Sequence, residues 1–231
     1  MPAHLWKIAP MPIRAVLFDV YGTLLDVHSA IARVGKELGP AADSVSRLWR
    51  QKQLEYTWVW SLRGEYRSFR ALTEAALDVA LANHRVSLGE LRGRLLQAYE
   101  QLDPFPDVAD ALDALKNRGL RLAALSNGDP DMLEAGLQAA GIRASLDTVL
   151  SVAPLKTYKP ERRVYELGRS WANASPAEIA FVSSNAWDAG GAAAFGFRTF
   201  WINRSDQPAE YDGPRHATVL KGLQDLSSRL A

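Results

Sequence analysis

Apolar positions along this chain follow two rhythms. Ala15-Val16-Leu17-Phe18 is a short continuous apolar run closed by Asp19 and followed by the breaker Gly22, the pattern of a buried strand that delivers its last side chain into a loop. That loop runs through Tyr21-Gly22-Thr23-Leu24-Leu25-Asp26. From about His28 to Leu102 no strand-like run occurs. Apolar residues there fall on neighbouring helical turns: Leu48, Trp49 and Tyr56, then Leu72, Ala75, Ala76 and Val79, then Leu91, Leu95, Leu96 and Tyr99. Pro104-Phe105-Pro106 ends this helical block, because proline cannot continue a helix and restricts the residue before it.

Beyond Pro106 helix and strand alternate. Helices are predicted over 108–116, 129–141 and 161–171, and strands over 120–125, 148–151, 179–182 and 199–202. Asp129 as N-cap, Pro130 at the first helical position and Gly141 past the end form a full set of start and stop signals. Such alternation predicts an α/β fold: a doubly wound, Rossmann-like parallel sheet, interrupted after its first strand by an inserted helical cap domain. The expected boundaries are 1–27 and 104–231 for the core and 28–103 for the cap. Before Ile13 the sequence is aperiodic and reads as a loose arm, in which either Met1 or Met11 can start translation.

Composition narrows the function classes. The 231 residues carry 27 basic and 26 acidic side chains, a net charge of +1, so there is no polyelectrolyte field for nucleic acid or an anionic membrane surface. Without cysteine there is no disulfide, thiolate nucleophile or thiolate metal site, and the four histidines show no ligand-like spacing. No apolar run approaches the roughly 20 residues of a membrane helix, and the N-terminus lacks a signal-peptide layout. The expected compartment is the cytoplasm.

In open parallel sheets ligands sit outside the carboxyl ends of the strands. Asp19 follows the first predicted strand, Ser126 and Asn127 the second, and Ser183 and Asn185 a later one, with Lys159 and Asp188 on neighbouring loops. A carboxylate closing a buried strand is costly unless something uses it. Taken alone Asp19 reads as a loop or capping aspartate, and its company is what points to chemistry.

Phe18-Asp19-Val20-Tyr21-Gly22-Thr23-Leu24, Leu125-Ser126-Asn127-Gly128, Tyr158-Lys159-Pro160 and Ser183-Ser184-Asn185-Ala186-Trp187-Asp188 resemble, in order, the four motifs of the haloacid dehalogenase superfamily. Leu48-Trp49-Arg50-Gln51-Lys52-Gln53-Leu54-Glu55-Tyr56-Thr57-Trp58 is similar to the signature of its type II (S)-2-haloacid dehalogenases. The resemblance covers nearly the whole chain from Ile13 onward.

Most members of that superfamily are magnesium-dependent phosphotransferases, and this sequence departs from them at two positions. Tyr21 stands where they carry a second aspartate, and Asn185 where they carry an acidic metal ligand. Magnesium prefers anionic hard oxygens, so neither a metal nor another cofactor is expected. The resemblance implies that Asp19 attacks the α-carbon of a short (S)-2-haloalkanoate and expels halide. Water then cleaves the resulting ester to the (R)-2-hydroxy acid.

It also implies a role for each site residue. Arg50 receives the halide with Asn127, beside an apolar wall of Leu54, Phe69 and Trp187. Ser126 and the backbone N–H groups of Val20 and Tyr21 hold the substrate carboxylate. Thr23 orients Asp19, Lys159 compensates its charge, and Asp188 orders or deprotonates water. Ser183 and the substrate-side Tyr165 form a layer around Asp19, with Asn185 in the same catalytic set. Plainer readings stand beside these: a solvated helix face for Arg50, core packing for Phe69 and Trp187, a loop hydroxyl for Thr23, and a helix N-terminal carboxylate for Asp188. The alternatives are a magnesium-dependent phosphatase of the same superfamily and a non-catalytic binding protein on that fold. The partner expected is a small haloacid, with neither nucleic acid nor membrane, and the family implies a homodimer.

Overall fold

The computed structural model describes residues 11–87, 89–211 and 216–230. The arm expected before Ile13, with the Met1 start, lies outside the described residues as far as residue 10. Six parallel strands form one sheet: β1 (Ala15–Phe18), β2 (Arg121–Ser126), β3 (Thr148–Ser151), β4 (Ile179–Ser183), β5 (Arg198–Ile202) and β6 (Ala217–Leu220). Their spatial order is β3-β2-β1-β4-β5-β6. This is the doubly wound arrangement, with β1 at the point where the winding reverses. β1 is buried at every position, as its unbroken apolar run requires.

Helices α1 (Ser29–Val34), α2 (Ala42–Leu62), α3 (Phe69–Asn83) and α4 (Glu90–Tyr99) follow β1. Then come α5 (Val108–Asn117), α6 (Pro130–Ala139), α7 (Arg162–Ala172) and α8 (Ala186–Phe195) between the strands. The chain leaves and rejoins the sheet through a narrow neck, where Leu25 bridges Pro104, Asp26 N–H donates to the Asp103 carbonyl at 2.8 Å and Phe105 N–H to that of Leu24 at 3.1 Å. Within the segment so enclosed, α2 packs along α3 and α1 against α4.

One strand escapes the sequence pattern. β6 reads Ala-Thr-Val-Leu and is half exposed, because an edge strand paired only with β5 needs no continuous apolar run. α8, the helix whose first turn holds Asp188, carries the pair Gly190-Gly191 and is held against β4 and β5. The glycine there serves a close approach: a Cβ on Gly191 would meet the Tyr165 hydroxyl at 2.4 Å.

The expected cap by Asp129 is corrected. Its backbone has the extended conformation of an N-cap, but its side chain makes no capping bond to α6. It turns instead to the helical segment, where it accepts from the N–H groups of Phe69 at 3.1 Å and Arg70 at 2.8 Å, the first residues of α3. A sheet-side carboxylate thus satisfies two of the orphan donors of a helix across the junction.

Candidate active site

The carboxyl ends of β1, β2 and β4 meet because the strands are in register, Phe18 lying opposite Ala124 on one side and Val182 on the other. Each strand therefore delivers its following residues to one place. Asp19 is 6 % exposed, and its two oxygens have unequal surroundings. Oδ2 accepts from Asn185 Nδ2 at 2.8 Å, Thr23 Oγ1 at 3.0 Å and Ser183 Oγ at 3.4 Å. Oδ1 accepts from Lys159 Nζ at 3.1 Å. Thr23 donates in its bond to Oδ2 because a carboxylate oxygen can only accept, and its own oxygen accepts from the Ser184 N–H at 2.8 Å.

Lys159, 1 % exposed, lies between two carboxylates and donates to Asp188 Oδ2 at 2.9 Å as well. Burial alone pushes its ammonium pKa down, but Asp188 and Asp19 outweigh burial and hold it above its ordinary value. Asp188, in the first turn of α8, is pushed up to about 6 by burial and the charge of Asp19, against the pull of Lys159. The Tyr165 hydroxyl donates to its Oδ1 at 2.9 Å, a contact that the missing Cβ of Gly191 permits. Burial raises the Tyr165 phenol well above its ordinary value, so it stays a donor.

The remaining strand-end residues frame this cluster. Asn127 Oδ1 accepts from the Lys159 N–H at 2.9 Å, which fixes the side chain. Ser126, fully buried, accepts from the Gly128 N–H at 3.2 Å. Among the described residues the N–H groups of Val20 and Tyr21 have no protein acceptor, and adjacent free donors are what a backbone anion site requires. Tyr21 is 4 % exposed and forms a seam with the helical segment, its ring 5.2 Å from Phe69 and 5.6 Å from Tyr99.

From α2, Arg50 reaches over the loop after β1. Its Nη2 donates to the Tyr21 carbonyl at 2.9 Å and lies 3.4 Å from Asn185 Oδ1, and its Nη1 donates to Gln53 Oε1 at 2.8 Å. Arg50, Leu54, Asn185 and Trp187 line a cavity of about 520 Å³ between the helical segment and the sheet rim, and Asn185 links it to Asp19 through its 2.8 Å hydrogen bond. Gly22 lines it too, at φ +92°, a conformation open to glycine.

The structure thus brings Asp19, Thr23, Lys159, Ser183, Asn185, Asp188 and Tyr165 into one hydrogen-bonded cluster. Arg50 joins it through Asn185 and Tyr21, and Asn127 through the Lys159 backbone. Leu54 and Trp187 stand on the cavity side of Arg50. Phe69 lies instead behind Tyr21, and Tyr165 behind Asp188. Periodicity alone gave no role to Gln53, Tyr99 or Arg204. Gln53 carried a signal nevertheless: a glutamine four residues after Trp49 falls on the buried line of α2. Arg204 follows β5, pairs with Asp107 at 2.9 Å and donates to Ser184 Oγ at 2.9 Å, which braces the loop before α8.

A divalent cation does not fit this donor set. Among the described residues no group of three or more His, Asp or Glu side chains is placed to hold one. The Asn185 amide nitrogen faces Asp19, and the Lys159 ammonium stands between the two carboxylates.

A family model for haloacid dehalogenase-like hydrolases matches residues 13–196. The chain is 45% identical over 220 residues to (S)-2-haloacid dehalogenase 1 of Pseudomonas sp. (strain CBS-3), covering 95% of this chain and 97% of that protein. It is 47% identical over 220 residues to (S)-2-haloacid dehalogenase 4A of Burkholderia cepacia, covering 95% of each. Among solved structures, a dehalogenase with an intermediate complex superposes with a TM-score of 0.92 at 44% identity, covering 95% of this chain and 98% of that one. The L-2-haloacid dehalogenase from Xanthobacter autotrophicus with chloropropionic acid covalently bound gives a TM-score of 0.82 at 35% identity, covering 94% of this chain and 97% of that one.

Proposed function

The chain belongs to the haloacid dehalogenase-like hydrolases, and from that premise we propose that it is an (S)-2-haloacid dehalogenase working through an ester on Asp19. It hydrolyses short 2-haloalkanoic acids to (R)-2-hydroxy acids. The observation that carries the mechanism is the inequality of the Asp19 oxygens. Three donors hold Oδ2, whereas Oδ1 meets the lysine and is the oxygen left for attack.

In the first step Oδ1 forms a bond to the α-carbon while the carbon–halogen bond breaks, and its electron pair leaves with the halide. Nucleophile and substrate are both anions, so positive charge must offset their repulsion. One unit charge at ~4 Å contributes on the order of 4 kcal/mol at an effective dielectric of about 20. Lys159 supplies such a charge beside the nucleophile, and Arg50, with Asn127, receives the halide. Ser126 and the N–H groups of Val20 and Tyr21 take the substrate carboxylate, and Leu54 and Trp187 give the site its apolar side, with Phe69 backing Tyr21. In the second step water attacks the ester carbonyl carbon and gives its proton to Asp188. The ester's alkyl oxygen leaves, takes that proton back from Asp188 and departs as the hydroxyl of the product, and the carboxyl of Asp19 loses its proton to solvent.

Residues 28–103 act in this reading as a cap domain, for which the neck at Leu25 and Pro104 is the support. A homodimer is carried from the family resemblance, and a cytoplasmic location from the expectation drawn on the sequence, as part of the same reading. The phosphatase alternative is disfavoured by Tyr21 and the Asn185 amide. A non-catalytic role leaves the buried Asp19–Lys159–Asp188 cluster without a purpose.

The oxygen balance tests the ester. With enzyme in excess over (S)-2-chloropropionate in heavy-oxygen water, the hydroxy acid is expected largely unlabelled and the peptide containing Asp19 heavier. Labelled product with an unlabelled Asp19 peptide means direct attack by water and ends the covalent reading.

A further inference from the structure

Gln53 is 1 % exposed, on the line of α2 that also buries Trp49 and Thr57. A buried amide is costly unless its groups are met, and methionine would fill a similar volume without that demand. Here the groups are met in one direction only. Thr73 Oγ1 donates its hydrogen to the Phe69 carbonyl at 2.7 Å, so toward Gln53 it can only accept, from Nε2 at 2.7 Å. The same Nε2 lies 2.9 Å from the Tyr99 hydroxyl. Tyr99 is held in turn by its ring contacts with Tyr21 and Trp49, at 5.6 and 5.0 Å between centroids. With Nε2 fixed on Thr73, Oε1 is turned from that hydroxyl, where it accepts from Arg50 Nη1 at 2.8 Å and from the Tyr99 hydroxyl at 3.2 Å.

The acceptors that grip Arg50 share a property. The Gln53 amide, the Tyr21 carbonyl and the Asn185 amide oxygen are all uncharged. A carboxylate at position 53 would hold the guanidinium as firmly and would offset its charge at the place where an anion must be received. An amide aims the charge and leaves it intact.

We infer that Gln53, locked by Thr73 and Tyr99, is a positioning residue for carbon–halogen cleavage that directs Arg50 toward the departing halide without neutralising it. This rests on the reading of Arg50 as the halide acceptor. Chloride is a poorer leaving group than bromide and leans more on that cation. A fault in aiming Arg50 therefore slows chloride release more than bromide release, and a general loss of folding slows both alike.

The experiment measures single-turnover halide release from (S)-2-chloropropionate and (S)-2-bromopropionate, with melting temperatures in parallel, for wild type, Gln53→Met, Gln53→Glu, Tyr99→Phe and Arg50→Ala. For Gln53→Met, chloride release is expected to fall about tenfold, bromide release by less, and hydrolysis of the preformed ester to keep its rate. Gln53→Glu keeps size and acceptors, yet chloride release is expected to fall about a hundredfold. Tyr99→Phe keeps the ring packing and shifts the chloride-to-bromide ratio by a few-fold in the same direction. It carries the test if neither Gln53 variant folds. A wild-type ratio in every folded variant at positions 53 and 99, beside a changed ratio in Arg50→Ala, overturns the inference while sparing the role of Arg50. An unchanged ratio in Arg50→Ala as well removes Arg50 from halide binding, and the inference falls with it. A wild-type rate in Gln53→Glu overturns the charge argument outright.

Discussion

The two sides of this site hold their charges in opposite ways. On the sheet rim, Asp19, Lys159 and Asp188 are at most 6 % exposed and compensate one another directly, with Thr23, Asn185 and Tyr165 satisfying the remaining oxygens. On the helical side, Arg50 is only partly buried and is gripped by neutral acceptors. The charges that react are embedded among counter-charges, and the charge read as meeting a ligand is steadied by groups that leave it unspent. Stability and activity should therefore part company between the two sides.

Removing the rim cation is the largest disturbance. Lys159→Met leaves two buried carboxylates without their shared partner, and a loss of about 3–5 kcal/mol of folding stability is expected together with halide release. Calorimetric or fluorescence melting against halide release measures both, and a variant that melts like wild type would erase the distinction between the two sides. Arg50→Ala should do the reverse, losing roughly a thousandfold in halide release. Its melting temperature should shift by no more than about 2–4 °C, since the Tyr99 hydroxyl, 3.2 Å from Gln53 Oε1, can donate in place of the guanidinium.

The smallest effect sharpens the rim alone. Asp188, at about 6, must be ionised to take a proton from water, so ester hydrolysis falls as pH drops through that value. The Tyr165 hydroxyl favours the ionised form and holds the pKa lower than it would otherwise be. In Tyr165→Phe the acidic limb should move to higher pH, with a few-fold loss near neutrality that is recovered at higher pH. A pH profile of single-turnover ester hydrolysis reads this, and an unmoved limb would detach Tyr165 from Asp188.

Legibility follows the same division. Rim residues close apolar strands, so sequence order already places Asp19, Ser126 and Ser183 at one edge once the sheet is parallel. Helical periodicity found α2, α3 and α4 but not what their polar residues do, because a buried glutamine and a solvated one look alike until the partner helix is known. Gln53 meets Thr73 and Tyr99 from two other helices, and no local pattern carries that information. The second task of Asp129 was hidden for the same reason: it stands at the N-cap of α6 as its spacing predicts, and only the packing reveals that its side chain serves donors on α3.

That carboxylate bears on how such chains can be recombined. Asp129 follows Ser126 and Asn127 on one tight turn, so the strand-end loop and the clasp on α3 are inherited together. A helical segment transplanted onto a host sheet lacking an acidic residue there would arrive with two backbone donors of α3 unmet and Phe69 unanchored. Exchange between relatives should respect that seam: the turn of residues 126–129 travels with residues 28–103, although it is written in the other half of the chain.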